Sequence, residues 1–366
     1  MISLKQKLLH FVDPWVNVPV AGLDISDQTI KYLQFKNQAK LESANFGEIE
    51  LPEGVISRGE ILQEDVLIKT LKNWLNREGK SFRGSAFAVS LPEEKGFLRL
   101  IQIPKIKKGE VLNSIRWEIE TNVPLPLDQL AYDYEMIETE NQLDHLDVLI
   151  IAFPKTVIES YLKVLRGSGL NPITLEHEAQ SIVRALFQGQ EFRETKIILD
   201  LGRTRTRLII ISGGEIIFTT TIELGGVTLE ENIGRELKVD RTKAVEFKKE
   251  VGLNKKSESG SVFAAITPVV SVLSDELKKA MEYYRTHGHG LHNSGPDIKE
   301  LVLTGGDAVL SGLDTYLAAI LKLPVSGAQQ ILAGRLWTDH RQIPTLPRNR
   351  LSSYTTSIGL AMKNWE

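Results

Sequence analysis

No cysteine occurs anywhere in the 366 residues. That excludes a disulfide-stapled scaffold, a thiol nucleophile and a zinc–thiolate site, and it is consistent with a reducing compartment. Long apolar runs are also missing, since no stretch approaches the roughly 20 residues needed to span a bilayer. Nor is one sign of charge in excess. The formal net charge is −3, which gives no electrostatic case for nucleic acid as the main partner. Residues 1–12 do not read as a signal peptide: Lys5, Lys7 and His10 interrupt them and no small-residue cleavage site follows. Neither a Walker A nor a Gly-x-Ser-x-Gly pattern is found. What is there is an ordinary globular composition, 42% hydrophobic and 25% charged. The length suits two or three domains of roughly 100–200 residues each. The expectation is a cytoplasmic protein.

Residues 1–17 stand apart. Leu4, Leu8 and Phe11 fall on one helical face before Pro14 and Pro19 break the chain; a tail or docked helix and a membrane-surface contact both fit. Val20–Phe35 reads as strand, polar turn (Ser26, Asp27, Gln28), strand, and a third strand follows over 41–51. Residues 64–77 have the spacing of an amphipathic helix. The block 85–169 has a different texture: strands over 85–91 and 97–103, a helix over 110–120, an apolar strand over 146–153 and a helix over 158–165. Then the opening pattern returns. Lys196–Leu201 leads through a polar turn into Leu208–Ser212, with Asp200 at the point of the strand that Asp24 holds in the first hairpin. A long helix over 262–284 precedes an apolar strand that ends in Gly305-Gly306. A last helix covers 353–363. One recurrence across so long an interval indicates two related halves rather than a solenoid, whose periods run roughly 20–50 residues.

The hairpins suggest chemistry. Tight polar turns aim successive backbone N–H groups at phosphate oxygens, and glycine, serine and threonine let the backbone come close and add hydroxyl donors. An aspartate at a strand end can hold magnesium through water, because that ion keeps much of its hydration shell. Asp24 and Asp200 are the candidates. A glycine pair such as Gly305-Gly306 lets a flat base or ribose lie on the backbone. One such hairpin alone is most often an ordinary β-turn. The order carries more: Asp24 hairpin, helix, inserted block, helix, Asp200 hairpin, Gly225-Gly226 turn, helix, Gly305-Gly306 turn, and a C-terminal helix with Gly359.

That order resembles the actin, heat-shock chaperone and sugar-kinase superfamily, whose fold is α/β, ribonuclease H-like and duplicated into two lobes. Within it the chain is similar to the PilM family of type IV pilus assembly proteins. The phrases that carry the resemblance are Gly22-Leu-Asp-Ile25, Gln102-Ile-Pro104, Asn122-Val-Pro124, Leu175-Glu-His-Glu-Ala179, Glu223-Leu-Gly-Gly226, Glu231-Asn-Ile-Gly-Arg-Glu-Leu237 and Leu303-Thr-Gly-Gly306. The resemblance covers about residues 20–363. It implies a first lobe from 18–84 and 170–195, and a second from 196–366 with a helical subdomain at 228–300. Residues 85–169 would be the inserted, partner-binding subdomain that PilM and the division protein FtsA share. The connecting helices would be 176–187 and 353–363, with Ala179, Ala185, Gly359 and Ala361 small enough for close contact.

Carried over residue by residue, Asp24, Ser26, Gln28, Thr29 and Lys31 would line the first phosphate turn. Asp200, Gly202, Arg203, Thr204 and Thr206 would line the second. Gly225 and Gly226 would back the ribose and phosphates, Gly305, Gly306 and Asp307 would face the adenosine, and Lys248 would reach the nucleoside. Glu178 could order a magnesium-bound water. ATP or ADP with magnesium is the implied cofactor, with hydrolysis at most slow. The implied partner is the short N-terminal segment of a PilN-like inner-membrane protein, with the pilus motor ATPase as a further one, and any membrane association would be indirect. A filament-forming protein like FtsA and a kinase of the same superfamily are the alternatives. The former would call for a C-terminal amphipathic helix, which is not seen in residues 362–366.

This chain departs from the family pattern in several places. Ser26 and Asp27 replace a glycine and a small hydroxyl residue, and Asp27 would bring negative charge near phosphate. Arg203 and Arg205 replace small residues and could either pair with phosphate or block the pocket. The family's acidic residue on the nucleoside helix falls on Val245, with Glu246 one position late. Three other signals read as surface: the glycine-flanked His287, His289 and His292; Glu118 and Glu120, which diverge on a helix; and the arginines of 341–350.

Overall fold

The structure is a computed structural model. It describes residues 19–37, 41–78, 82, 84–106, 110–137, 145–254, 260–287, 297–336 and 346–363. The N-terminal helix expected over 1–17 and most of the histidine-bearing loop lie outside the described residues.

The first half runs β1 (Val20–Ile25), β2 (Thr29–Asn37), β3 (Glu42–Glu50), β4 (Ile56–Ser57), β5 (Glu60–Ile61), α1 (Glu64–Glu78), β6 (Ala86–Leu91), β7 (Phe97–Pro104), α2 (Val111–Asn122), β8 (Leu130–Ile137), β9 (His145–Pro154), α3 (Lys155–Gly167), β10 (Pro172–His177) and α4 (Glu178–Phe187). The second runs β11 (Thr195–Leu201), β12 (Thr206–Ser212), β13 (Glu215–Ile222), α5 (Gly226–Leu237), α6 (Arg241–Glu250), α7 (Gly260–His287), β14 (Ile298–Thr304), α8 (Leu313–Leu321), β15 (Val325–Gly327), α9 (Ala328–Leu336) and α10 (Thr355–Ala361).

One topology is built twice. The first sheet has the order β10-β6-β1-β2-β3, and the second contains β15-β14-β11-β12-β13. In each, three antiparallel strands are joined on one side by two parallel ones. The register repeats as well. Asp24 on β1 pairs across the ladder with Lys31 on β2, and Asp200 on β11 with Arg207 on β12. Ile197–Leu201 and Leu208–Ile211 are nearly continuous apolar runs because both faces of these strands are covered.

Separate cores serve the two lobes. Leu67, Leu71 and Trp74 of α1 and Tyr161, Val164 and Leu165 of α3 pack on β1, β2 and β6. Helices α5 to α8 pack on the corresponding face of the second sheet. By length and composition, residues 260–286 of α7 could cross a membrane, at a mean hydropathy of 1.3. Instead, Val262, Ile266, Leu273 and Leu277 are buried in this core.

The inserted block differs from its sequence outline. The strand at 86–91 hydrogen-bonds in parallel to both β1 and β10, so it belongs to the first sheet, and α3 joins the first lobe's core. The unit with a core of its own is β7-α2-β8-β9, built on Ile103, Val111, Ile115, Ile119, Val148 and Ile150. It extends the second sheet through β7, which pairs with β13 at Arg99 and Phe218.

Between the lobes, α4 crosses α10. The crossing is backbone against backbone: a Cβ on Gly359 would fall inside contact distance of the Ser181 carbonyl, and one on Gly22 of β1 would meet the Ser357 carbonyl. Both helices begin later than the sequence pattern indicates. Residues 176–177 continue β10, and 348–354 form a 3₁₀ turn whose Ser352 carbonyl accepts from the Gly305 N–H at 3.0 Å. Replacing Gly359 by alanine inserts a methyl where nothing can yield, so Gly359→Ala is expected to cost on the order of 1–3 kcal/mol or more in a urea unfolding curve. An unchanged midpoint would show that the helices can part without loss.

Candidate functional site

The two hairpin turns and the Gly305-Gly306 turn open onto one cleft of about 500 Å³. Asp24, Ser26, Gln28, Thr29 and Lys31 line it from the first lobe. Asp200, Gly202, Arg203 and Thr204 line it from the second hairpin, and Lys248, Gly305, Gly306 and Asp307 complete the set expected from sequence. Four expected residues lie behind it instead: Glu178, in the cluster beneath the cleft, and Thr206, Gly225 and Gly226. The Thr206 hydroxyl donates to the Leu224 carbonyl at 2.6 Å. Gly225 caps α5, and the Gly226 N–H donates to the Gly202 carbonyl at 3.0 Å, so this pair braces the second turn from the rear.

The turns are held by local bonds. Ser26 donates through both its N–H and its hydroxyl to the Thr29 carbonyl, at 2.9 and 2.8 Å. Lys31 reaches Thr29 Oγ1 at 3.2 Å and Glu48 at 3.5 Å. At Gly305, φ is +96° and a Cβ would meet the Leu201 carbonyl and Asp200, so only glycine lets β14 end this close to the second hairpin.

The alternating arginines 203, 205 and 207 all reach across to groups contributed by the first half of the chain. Arg203 Nε donates to Gln28 Oε1 at 2.6 Å, while its two terminal nitrogens donate to the Glu230 carboxylate at 3.2 Å each. Arg205 donates to Asp27 Oδ2 at 2.9 Å and ion-pairs with Glu94. Arg207 donates to Asp200 Oδ2 at 2.5 Å and to Glu178 Oε1 at 2.6 Å. Asp27 is therefore drawn aside, and it also accepts the Arg58 and Gly59 N–H groups at 3.1 and 3.0 Å.

Glu230 is a site residue the sequence reading missed. From α5 it accepts Lys248 Nζ at 2.6 Å, and the same ammonium donates to Asp307 at 2.5 Å. Val245 lines the cleft and Glu246 bonds Lys243 outside it, so the carboxylate that engages Lys248 comes from α5 rather than from the lysine's own helix. Burial pushes the Glu230 carboxyl up, but its bonds to Lys248 and Arg203 outweigh that and hold it below the usual range. Ser352 and Ser353 were also missed, because the 3₁₀ turn that presents them has no apolar period, and so was Thr356 in the first turn of α10.

Beneath the cleft lies a buried charge cluster. Burial pushes the Asp24 carboxyl up against the pull of Lys31 and Arg207. It pushes Glu178 well above the carboxylate range despite Arg207, and Glu93 up to about 7. His177 caps α4 by accepting the Ala179 N–H at 3.3 Å, and burial, reinforced by Arg207, lowers it to about 3, so it stays neutral. Among the described residues no group of histidine and carboxylate side chains is arranged to hold a metal ion. The donor set does fit a polyanion, since basic side chains outnumber carboxylates around the cleft.

A duplicated sheet topology with crossing helices, and two turns facing across one polar cleft, define an actin-like protein. Solved structures of this class resemble the chain along nearly its whole length. The "PilM-PilN type IV pilus biogenesis complex" matches with a TM-score of 0.78 and 22% identity, covering 94% of this chain and 98% of that one. The ethanolamine utilization protein EutJ of Carboxydothermus hydrogenoformans matches at 0.56 and 16%, covering 96% and 92%. MreB5 of Spiroplasma citri bound to ADP matches at 0.53 and 14%, covering 87% and 94%. The model of the type IV pilus assembly protein PilM family matches residues 22–365. The chain belongs to that family. The FtsA-like and kinase alternatives are not favoured by these findings.

Glu93 supplies a pH test. Its folded-state value lies above its unfolded one, so its contribution is fully present below about pH 4.5 and is lost as pH rises through about 7. Glu93→Gln removes that loss. In urea unfolding the variant's advantage over the parent is expected to grow by on the order of 2–3 kcal/mol between pH 5 and pH 8. A difference independent of pH would contradict the assignment.

Proposed function

We propose that the chain is the actin-like adaptor of a type IV pilus inner-membrane assembly complex, holding a nucleotide between its lobes and docking the N-terminal segment of a PilN-like membrane protein. Family membership supports the pilus setting. The observation that carries the nucleotide part is the convergence of both polar turns, Lys31, Arg203 and Lys248 on a single cleft. ATP or ADP would lie with its phosphates between the Ser26–Thr29 and Gly202–Thr204 turns and its adenosine toward Gly305, Gly306 and Asp307. Glu178 is committed to Arg207 and raised by burial, which leaves it poorly placed to orient an attacking water. The nucleotide then acts chiefly as a structural ligand that stabilises the closed lobes.

The partner segment has a candidate seat. A groove of about 930 Å³ runs along the β7-α2-β8-β9 unit, with Val123, Leu125, Leu127 and Tyr132 in its walls and Arg116 and Lys155 among its basic residues. Such a groove suits a short apolar peptide with polar ends. A protein so docked would sit at the cytoplasmic face of the inner membrane through its partner, within reach of the pilus motor ATPase.

Mass spectrometry of material released from the purified protein by denaturation is expected to find an adenine nucleotide. Lys31→Ala is expected to weaken its rebinding about tenfold, the loss of one charge-assisted bond. Protein free of nucleotide and inert to added ATP would end this reading. For the partner, Leu125→Asp is expected to abolish binding of a fluorescent N-terminal peptide of the PilN-like protein and to leave nucleotide affinity intact. Undiminished peptide binding would move the docking site elsewhere.

A further inference from the structure

Magnesium held through water by Asp24 and Asp200 is what the family resemblance implies, and the groups around Asp200 do not fit it. The Arg207 guanidinium already stands there. It bonds Asp200 at 2.5 Å and Glu178 at 2.6 Å, and its Nε ion-pairs with the other Glu178 oxygen and lies 4.0 Å from Glu93. Asp200, Glu178 and Glu93 are only 5%, 1% and 4% exposed. To coordinate near Asp200, a divalent cation would have to evict Arg207 from buried partners or sit beside a permanent positive charge; both are costly. Asp24, the remaining candidate, accepts from Ser90 at 3.1 Å and faces Lys31 across the ladder. Each hairpin thus carries its own cation opposite its aspartate.

Resting on the nucleotide reading above, we propose that Arg207 takes the place of the divalent cation, so that the cleft binds a nucleoside polyphosphate without magnesium. What a cation supplies to a polyphosphate is neutralising charge in a fixed position. A guanidinium supplies the same, with directed N–H donors. Arg207 lines the cleft, and with Nη1 on Asp200 and both Nη2 and Nε on Glu178 it retains one N–H on each terminal nitrogen. Its carboxylate partners hold it in one orientation, as a bound ion would be held. Lys31 approaches from the other lobe, so phosphate oxygens would meet a fixed positive charge on each side.

The experiment is a titration of nucleotide-free protein with a fluorescent ATP analogue, in EDTA and in excess magnesium, for the parent, Arg207→Gln and Arg207→Lys. The parent is expected to bind with affinities within about threefold of each other in the two conditions. Arg207→Gln is expected to lose at least about tenfold in EDTA and to recover with magnesium, and Arg207→Lys to stay metal-independent. Parent protein that binds only with magnesium overturns this inference and leaves the nucleotide reading standing. Binding in neither condition overturns both. Arg207→Gln that matches the parent in EDTA overturns the role given to Arg207. The two parent titrations decide the question even if a variant fails to fold.

Discussion

The crossing of α4 over α10, where Gly359 lies directly on the backbone of Ser181, sets everything else. It joins the two lobes along a seam with no side chain between the chains at its closest point. Because helix termini and strand ends are rigid relative to that seam, the first hairpin, the second hairpin and the Gly305-Gly306 turn are delivered to the same place. Move the helices apart by the thickness of a methyl group and the turns separate with them. The site's geometry therefore hangs on a steric constraint at the helix crossing, where Arg184 also donates to the Gly359 carbonyl at 2.8 Å.

Electrostatics does the second half of the work. Arg203, Arg205 and Arg207 leave the second hairpin on the same side and find acceptors contributed by the first half of the chain, in Gln28, Asp27, Glu94 and Glu178. Arg203 is 36% exposed, whereas the Arg205 and Arg207 side chains are only 8% and 13% exposed, so their charge-assisted bonds meet little solvent and are worth more than a surface pair. They also explain why so many like charges can share a small space. Asp27 is withdrawn from the cleft by Arg205, and Glu230 sits between Arg203 and Lys248. The cleft keeps a positive surplus while almost every buried carboxylate has a cation nearby.

Much of this could be read in the sequence. The hairpins were legible because each is an apolar run, a polar turn and a second run, with an aspartate at the same point in both. Asp24, Lys31, Asp200, Lys248 and Asp307 were all expected around one site and line one cleft. What escaped was non-local or aperiodic. Gln28 and Asp27, which Arg203 and Arg205 reach, lie 175 and 178 positions away, and no local pattern shows that an arginine beside a phosphate turn is turned toward the other lobe. Glu230 sits on a helix whose period gives no hint that one carboxylate faces a lysine of the next helix. Strand β8 was missed because Asp133, Tyr134, Glu135 and Met136 are all exposed at the sheet's edge, which erases the alternation a half-buried strand would show. The strand at 86–91 was detected but grouped with its neighbours in the chain, whereas parallel pairing places it beside β1.

The central claim is that two hairpins far apart in sequence close over one ligand. Hydrogen–deuterium exchange with and without ATP tests it most directly. The amides of 26–29, 202–206 and 305–307 should gain protection together, over a single range of nucleotide concentration. Protection confined to one of these turns, or absent from all three, would contradict the account.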